Sequence, residues 1–214
     1  MMQYLIDTAN MEEIKEALEL GVKGVTANPS MYLKEKVNFT SFLSEVSELG
    51  PSILTAEVME DTLENMLKTS EEILAINRDI IIKINFSETG LKLINILNKR
   101  GVKTAATLIF TLRQATIALN AGASYIFPFI GRNDEIGLDG LNILSDICHV
   151  IKINNYDAKV VAASIKNLNH LEKAALAGAN YAAVTFDCFR KAMHHELTES
   201  GAKTFEEHWA LLNK

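Results

Sequence analysis

Short apolar runs recur along the chain, and most are followed by a segment whose apolar residues have helical spacing. The first run, at residues 4–6, is followed by Met11, Ile14 and Leu18, which fall on one face of a helix. Gly21 comes directly after that segment, where helices commonly end on a left-handed residue. This order predicts a strand followed by a helix, and the same unit recurs to the end of the chain.

The pattern predicts eight strands and a helix after most of them. The strands are predicted at residues 4–6, 24–26, 52–58, 80–84, 104–109, 125–130, 159–164 and 181–186. The helices are predicted at residues 11–20, 61–77, 87–100, 112–120, 138–153, 168–177 and 188–195. Asn10, Asp61 and Ser87 are the predicted N-caps, because their side chains can accept hydrogen bonds from free backbone N–H groups.

The repeated unit favours one architecture. Most strands are apolar on both faces, as expected for a parallel sheet covered by helices. Eight units favour a single α/β domain over residues 1–214, a (β/α)8 TIM barrel with an extra amphipathic C-terminal helix at 198–212. A doubly wound open sheet is the alternative, but no Gly-x-Gly-x-x-Gly motif follows the first strand. Phe205 and Trp209 predict an apolar stripe on the last helix, packed on its own barrel or on a neighbouring molecule.

Composition and charge exclude several classes of protein. With 48% apolar and 22% charged residues, the chain has the composition of a globular protein. Its net charge is −6 and no basic run occurs, so no nucleic-acid partner is expected. It has no long apolar run and no basic segment leading into one, so neither a membrane span nor a signal peptide is expected. Only two cysteines occur, Cys148 and Cys188, and a buried thiol in a reducing, cytoplasmic compartment fits both.

The polar residues that follow the predicted strands are the candidate chemistry. In a (β/α)8 barrel the active site lies at the C-terminal ends of the strands. Seven consecutive strands supply at least one such residue: Asp7, Thr26, Asn28, Glu57, Lys83, Thr107, Arg132, Ser164 and Lys166. We therefore expect these side chains to converge on one mouth.

Lys83 is the most specific candidate, because it lies among apolar residues in the run Ile80–Ile84. A lysine in a dry interior loses the hydration of its ammonium group, which favours the neutral amine. A neutral amine can attack a ketone and form a Schiff base. The alternative is a structural lysine that is paired with Asp7 or Glu57 inside the barrel.

Glu57 and Thr107 end the strands on either side of the Lys83 strand, so the three are expected to be neighbours. A carboxylate and a hydroxyl can together hold a water for proton transfer. Alternatively, Glu57 only neutralises Lys83, and Thr107 only satisfies the backbone. Asp7 would bind a substrate hydroxyl or cap the next helix. Asn28 would bind a hydroxyl or form the turn that Asn-Pro sequences favour.

Arg132, Ser164 and Lys166 follow the sixth and seventh strands. Late strands of these barrels commonly bind phosphate, and arginine suits phosphate geometry, so a phosphate site is predicted here. None of the five histidines belongs to a His-Glu-x-x-His motif or ends a core strand. We therefore expect no metal, and we expect imidazoles that are exposed or satisfied by their neighbours.

Seven motifs, in this order and spacing, resemble the transaldolase family, in particular its short members and the related fructose-6-phosphate aldolases. The resemblance covers nearly the whole chain. The motifs are Ile6-Asp7-Thr8-Ala9-Asn10, Gly24-Val25-Thr26-Ala27-Asn28-Pro29-Ser30, Ala56-Glu57-Val58, Ile82-Lys83-Ile84, Glu88-Thr89-Gly90, Phe127-Pro128-Phe129-Ile130-Gly131-Arg132 and Ala162-Ala163-Ser164-Ile165-Lys166.

The resemblance implies a (β/α)8 barrel that works through a Schiff base without a cofactor. It assigns the Schiff base to Lys83 and the catalytic water to the pair Glu57 and Thr107. It assigns contact with the reacting hydroxyl, and help in proton transfer, to Asp7. It also implies binding of the dihydroxyacetone part by Asn28.

The resemblance further implies that the phosphate is bound by Arg132, Ser164 and Lys166. We count Thr26 and Phe129 as substrate-binding residues as well. Family members assemble into rings, so a homo-oligomer is expected, such as a decamer of two pentamers.

Three positions depart from the family pattern: Ala27 replaces a threonine, Asn85 a proline, and Lys166 a frequent arginine. Lysine keeps the charge but loses the two-pronged geometry of arginine. Two other positions resemble transaldolases, because the aldolases tend to carry glutamine at Glu57 and tyrosine at Phe129.

The sequence therefore predicts transfer of a dihydroxyacetone unit from a ketose phosphate to an aldose phosphate. The alternatives are a fructose-6-phosphate aldolase that releases free dihydroxyacetone, and a sugar-phosphate binding protein without turnover.

Overall fold

The computed structural model describes residues 1–212, which form a closed barrel of eight parallel strands. The strands are β1 (Gln3–Asp7), β2 (Gly24–Thr26), β3 (Ile53–Val58), β4 (Ile81–Asn85), β5 (Thr104–Ile109), β6 (Tyr125–Pro128), β7 (Lys159–Ala162) and β8 (Tyr181–Val184). They pair in chain order, and β8 pairs with β1 to close the barrel. The predicted (β/α)8 fold is confirmed, and the open sheet is excluded.

Helices connect the strands and pack against the outside of the barrel. They are α1 (Met11–Glu19), α2 (Pro29–Glu35), α3 (Phe39–Glu48), α4 (Leu63–Ile76), α5 (Glu88–Lys99), α6 (Leu112–Asn120), α7 (Ile130–Glu135), α8 (Gly140–Ile153), α9 (Leu168–Ala177), α10 (Phe186–Ala192) and α11 (Glu196–Leu212). Two predicted caps are confirmed. Asn10 accepts hydrogen bonds from the N–H groups of Glu12 and Glu13, and Ser87 accepts one from Gly90.

The apolar core has two parts. The larger part lies between the strands and the helices, and the smaller part fills the barrel. The smaller part includes Leu5, Ile81 and Phe127. The residue of β2 that pairs with Leu5 is Gly24. An added Cβ there would clash with the carbonyl oxygen of Ile53. Only glycine therefore lets β2 approach β3 at this level.

Side-chain alternation extends the inner face to the mouth of the barrel. Successive side chains of a strand point to opposite faces, so the residue two positions after an inner core residue also points inward. Asp7 stands two positions after Leu5, and Lys83 stands two after Ile81. Thr107 likewise stands two positions after Ala105, the inner core residue of β5. The strands themselves therefore carry these groups to the C-terminal mouth.

Three late strands are shorter than predicted. The predictions at residues 125–130, 159–164 and 181–186 extend too far. β6 ends at Pro128, and a single bridge between Phe129 and Ala163 follows it before α7 begins. β7 ends at Ala162, two residues before Ser164 adopts a left-handed φ of 56°. β8 ends at Val184, because the Thr185 hydroxyl caps α10.

Several helix boundaries also differ. The helices α2, α3 and α7 are not predicted from the sequence. The N-cap of α4 is Thr62, whose hydroxyl accepts a hydrogen bond from Asn65, so the prediction of Asp61 as the cap is wrong. The helix predicted at 188–195 spans Phe186–Ala192.

The last helix, α11, exposes its apolar residues. It begins at Glu196, two residues before the predicted start, and none of the side chains of residues 196–212 is buried. Phe205 is 74% exposed, so it does not pack on its own barrel. Residues 213 and 214 of the predicted domain lie outside the described residues. Within residues 1–212, no helix is both long enough and apolar enough to cross a membrane.

Candidate active site

The C-terminal ends of the strands open into a cavity of about 570 Å³. All the residues predicted to carry chemistry line it: Asp7, Thr26, Asn28, Glu57, Lys83, Thr107, Phe129, Arg132, Ser164 and Lys166. Their convergence on one mouth is confirmed. Their individual roles stay predictions.

Lys83 lies in this cavity and is 5% exposed. Its Nζ donates a hydrogen bond to the carbonyl oxygen of Ala27 at 2.8 Å and lies 2.9 Å from Glu57 Oε2. The strand register places Glu57 directly beside Lys83 on β3 and β4. The free protein thus holds the ion pair that the structural interpretation of Lys83 predicts. The same distance also makes Glu57 the group placed to accept a proton from the ammonium.

Ala27 stands where the family pattern has threonine. The contact with Lys83 does not depend on that difference, because it uses only the backbone carbonyl of Ala27. An aromatic ring also lies close to the ammonium, since the ring centroid of Phe127 is 5.8 Å from Nζ. The lysine is therefore held by a carboxylate, a carbonyl and a ring in a largely water-free position.

Three buried polar atoms around Lys83 lack a hydrogen-bond partner within residues 1–212. They are Glu57 Oε2, Asn85 Oδ1 and Thr107 Oγ1. Glu57 Oε2 belongs to the ion pair but makes no aligned hydrogen bond. Each buried group left unsatisfied costs about 1–3 kcal/mol, and native proteins commonly keep such groups for a ligand or for catalysis. Asn85 stands opposite Thr107 in the β4–β5 register, so the residue that departs from the family pattern adds a polar group to the site.

The carboxyl of Asp7 titrates far from its ordinary range. Its pKa rises from 3.8 to about 6, because burial disfavours the charged form more strongly than the Lys83 charge favours it. The negative charge of Glu57 raises the pKa further. A carboxyl with such a pKa can both give and take a proton near neutral pH. Because Asn10 caps α1, the alternative interpretation of Asp7 as a helix cap is wrong.

Thr26 and Asn28 form the side of the cavity at the end of β2. The Thr26 hydroxyl lies 2.7 Å from the Thr55 hydroxyl, and Thr26 is only 2% exposed. Asn28 Oδ1 accepts a hydrogen bond from the N–H of Ser30 at 3.1 Å and so caps α2, which confirms the predicted turn. That bond uses only the oxygen of the Asn28 amide, and the NH2 group is the part that suits a substrate hydroxyl.

The candidate phosphate site is formed by two segments that contact each other. Arg132 lies on α7, with its guanidinium carbon 5.3 Å from the ring centroid of Phe129. The N–H of Gly131 donates a hydrogen bond to the carbonyl oxygen of Ser164 at 3.0 Å. Ser164 has a left-handed φ of 56°, a conformation that non-glycine residues adopt mainly where function or tight structure requires it.

Lys166 completes this cationic region. Its Nζ lies 3.0 Å from Glu135 Oε1, and both side chains are more than half exposed. An added Cβ at Gly131 would lie 2.3 Å from Lys166 Cγ, so glycine is needed for the lysine stem to cross α7. A phosphate at this point would compete with Glu135 for the ammonium of Lys166.

Tyr32 and His170 are polar residues near the site that the sequence does not predict as site residues. Tyr32 lies on α2, and its buried hydroxyl has no hydrogen-bond partner within residues 1–212. Burial and the charges of Glu57 and Asp7 raise its pKa. His170 is buried and hydrogen-bonded, as predicted for the histidines, but the sequence shows no sign that it contacts the segment of Lys166. Neither residue follows a strand, so the rule of searching strand ends could not find them.

The fold and the site together define a (β/α)8 barrel with a buried lysine–carboxylate pair at its mouth and a cationic region beside it. The chain belongs to the family described as Transaldolase/Fructose-6-phosphate aldolase, which it matches over residues 4–214. The family predicted from the sequence is confirmed.

Three bacterial relatives, each named a probable transaldolase, match this chain along its length. The protein from Desulfitobacterium hafniense is 42% identical over 212 residues, which are 99% of this chain and 100% of the relative. The protein from a Thermoanaerobacter species is 40% identical over 209 residues, or 97% of each chain. The protein from Brevibacillus brevis is 37% identical over 214 residues, the whole of both. These names support an enzyme of the transaldolase or aldolase type.

Proposed function

We propose that this protein is a transaldolase that transfers a dihydroxyacetone unit from a ketose phosphate to an aldose phosphate. The donor is fructose 6-phosphate or sedoheptulose 7-phosphate, and the covalent carrier is Lys83. The observation that carries the proposal is the buried Lys83–Glu57 pair beside Asp7, in a chain of this family. The proposed reaction uses side chains alone and needs no cofactor.

The first half of the reaction forms the Schiff base. Glu57 accepts a proton from the Lys83 ammonium, and the neutral amine adds to the C2 carbonyl of the ketose. The carbinolamine then loses water and becomes a protonated imine. A water held between Glu57 and Thr107 relays the protons, which accounts for the unsatisfied oxygen atoms of both residues.

The second half breaks one carbon–carbon bond and forms another. The Asp7 carboxylate takes the proton of the C4 hydroxyl, and the C3–C4 bond breaks. The electron pair of the C3–C4 bond moves into the imine, which leaves an enamine on Lys83 and releases an aldehyde phosphate. The enamine carbon then adds to an acceptor aldehyde such as erythrose 4-phosphate, and Asp7 returns the proton to the new hydroxyl. Water hydrolyses the new imine and frees Lys83.

The remaining cavity residues bind the two ends of the substrate in this proposal. Thr26 and Asn28 contact the hydroxyls of the dihydroxyacetone part, because both line the cavity at the end of β2. The phosphate lies against Arg132, Ser164 and Lys166, which combine two positive charges with a hydroxyl.

Phe129 favours transfer over simple cleavage. Its ring lies against Arg132 and Phe110, and it has no hydroxyl that could protonate the enamine. The enamine therefore remains on Lys83 until an acceptor aldehyde binds.

The second candidate function is a fructose-6-phosphate aldolase, in which the enamine is protonated and free dihydroxyacetone leaves. A sugar-phosphate binding protein without turnover is the third.

Product analysis separates these candidates. Pure protein is incubated with fructose 6-phosphate, with and without erythrose 4-phosphate. A transaldolase yields sedoheptulose 7-phosphate and glyceraldehyde 3-phosphate, and it needs the acceptor for turnover. Free dihydroxyacetone in the tube without acceptor would assign the aldolase.

Borohydride reduction tests the covalent step. Reduction in the presence of fructose 6-phosphate is expected to attach the three-carbon unit to Lys83, and mass spectrometry locates it. Lys83→Met should abolish both the adduct and transfer, whereas Lys99→Met, at an exposed lysine of α5, should change neither. Transfer that survives in Lys83→Met contradicts the mechanism, and a wild-type protein that forms no adduct indicates a binding protein.

We also propose that the protein is a cytoplasmic homo-oligomer, a ring such as a decamer of two pentamers, and that α11 contacts a second copy. The apolar side chains of Leu197, Phe205 and Leu212 are 75%, 74% and 79% exposed, which suits a helix that is covered in an assembly. Cys148 and Cys188 are buried free thiols, which fits a reducing compartment. Light scattering should show a closed oligomer for the wild type and smaller species for Phe205→Glu. A monomeric wild type contradicts the proposal.

A further inference from the structure

His170 is a buried side chain that joins the two segments carrying the phosphate-binding candidates. It lies near the start of α9 and is 6% exposed. Its Nδ1 accepts a hydrogen bond from the backbone N–H of Lys166 at 3.3 Å, and its Nε2 lies 3.1 Å from Asp134 Oδ2. One imidazole therefore contacts α7 through Asp134 and the β7–α9 connection through Lys166.

The contact with Lys166 determines which ring nitrogen of His170 carries the proton. A nitrogen that accepts a hydrogen bond has no proton of its own, so the neutral imidazole carries its proton on Nε2. The Nε2–H group then faces the carboxylate of Asp134, whose Oδ2 lies 3.1 Å away. His170 is thus a bridge with an acceptor on one side and a donor on the other, and losing either partner breaks the link.

The bridge ends close to the groups that would meet a phosphate. Asp134 is two residues from Arg132 on the same short helix, and its Oδ1 also accepts a hydrogen bond from the N–H of Gly140 at 3.0 Å. On the other side, the N–H that His170 binds belongs to Lys166, two residues from Ser164. A shift of either backbone would move a phosphate-binding candidate relative to the others.

Long cationic side chains need a fixed backbone if they are to meet at one point. Arg132 and Lys166 are exposed, and each loses rotamer freedom when it binds an anion. A displacement of about 1 Å is enough to impair a positioned group. Because His170 is buried, its two contacts keep their geometry better than the exposed Lys166–Glu135 pair does.

We propose that His170 is a positioning residue for phosphate recognition, and that it acts through Asp134 and the backbone of Lys166 without touching the substrate. The inference rests on the proposed function for the identity of the sugar phosphate. The anion site itself can be tested separately with inorganic phosphate.

Three substitutions separate the two contacts of the bridge. His170→Leu removes both of them, and His170→Asn keeps an acceptor oxygen near the position of Nδ1. Asp134→Asn replaces the acceptor that faces Nε2–H with an amide. His149→Leu, at an exposed histidine of α8, is the matched control.

Three measurements then distinguish positioning from a general effect. They are the affinity for inorganic phosphate by calorimetry, the kcat and KM for fructose 6-phosphate, and borohydride trapping with dihydroxyacetone, which has no phosphate. We expect His170→Leu to weaken phosphate binding and raise the KM by about fivefold to tenfold, as loss of one or two hydrogen bonds would. The kcat and the trapping rate should stay near the wild-type values, and His170→Asn should recover part of the loss. Asp134→Asn should change phosphate affinity in the same direction, and His149→Leu should change nothing.

Three results would overturn the inference. The first is an unchanged phosphate affinity in folded His170→Leu, and the second is the absence of phosphate binding by the wild type. The third is an equal loss in dihydroxyacetone trapping, which indicates a disturbed barrel. If His170→Leu does not fold, His170→Asn and Asp134→Asn carry the same test. Failure of the proposed function looks different, because the wild type would then bind phosphate but trap no dihydroxyacetone.

Discussion

Replacing Asp7 by asparagine should stabilise the protein at neutral pH while it removes activity. The pKa of Asp7 rises from 3.8 to about 6 in the folded barrel, so the carboxyl is harder to ionise there than in the unfolded chain. At 1.36 kcal/mol for each pH unit, this difference corresponds to about 3 kcal/mol. Asparagine has nearly the same shape and no charge, so the variant avoids that cost. It also lacks the group that we propose to exchange a proton with the substrate.

The pH dependence follows from where the proton is bound. Between about pH 4 and pH 6, the folded protein holds a proton on Asp7 that the unfolded chain has released. The stability of the wild type therefore falls as pH rises from about 4 to about 6. Above about pH 6 the whole cost of ionising Asp7 in the folded protein is present. The gain of Asp7→Asn should be about 3 kcal/mol at pH 8 and about 1 kcal/mol at pH 4.5.

Urea unfolding at these two pH values measures the effect, with equal protomer concentrations because assembly shifts apparent stability. Asp79→Asn, at an exposed carboxylate before β4, is the control and should show no pH-dependent gain. Titrating groups that do not interact with Asp7 contribute equally to wild type and variant, so only Asp7 and the groups coupled to it, Lys83 and Glu57, enter the difference. An Asp7→Asn variant that is less stable than the wild type at pH 8, or a gain that is the same at both pH values, would refute the reasoning.

Three further predictions concern residues in or near the cavity. Glu135→Gln should lower the KM for fructose 6-phosphate about twofold to threefold at constant kcat, because it frees Lys166 from an exposed ion pair; a raised KM in steady-state assays would count against this. Phe129→Tyr should release free dihydroxyacetone from fructose 6-phosphate without an acceptor, and a product profile unchanged from the wild type would show that position 129 does not control release. Tyr32→Phe should increase the free energy of unfolding by about 1 kcal/mol, because it removes a buried hydroxyl that has no partner within residues 1–212. A loss of stability in urea would show that this hydroxyl is satisfied.

The strand-borne part of the site could be predicted from the sequence because its geometry is local. Lys83 lies in an apolar run, and alternation along β4 is enough to place it inside the barrel with Ile81. The order of the eight repeated units then places Glu57 and Thr107 on the two strands that flank the Lys83 strand. Their positions in the register of β3, β4 and β5 agree with that prediction.

Features that depend on contacts between distant segments could not be predicted in this way. The link from His170 to Asp134 joins two connections on different sides of β7, and no spacing rule reports it. The helix α7 has only six residues and no side-chain cap, so it shows neither helical periodicity nor a polar start. The hydroxyl of Tyr32 comes near the charges of Glu57 and Asp7 only in the folded protein, where α2 borders the cavity.

The residues of the site differ in whether a strand or a connection carries them, and this difference limits which of them can be replaced. Lys83 and Glu57 are held by hydrogen-bonded strands, and a slip of one residue between β3 and β4 would turn one of them away from the barrel interior. Arg132 and Lys166 stand on connections, which tolerate insertion and replacement far better than strands do. If the proposed phosphate site is correct, evolution or directed mutagenesis can therefore change which phosphorylated substrate binds by replacing these two connections. The covalent chemistry proposed for Lys83 and Glu57, in contrast, depends on the register of β3 and β4.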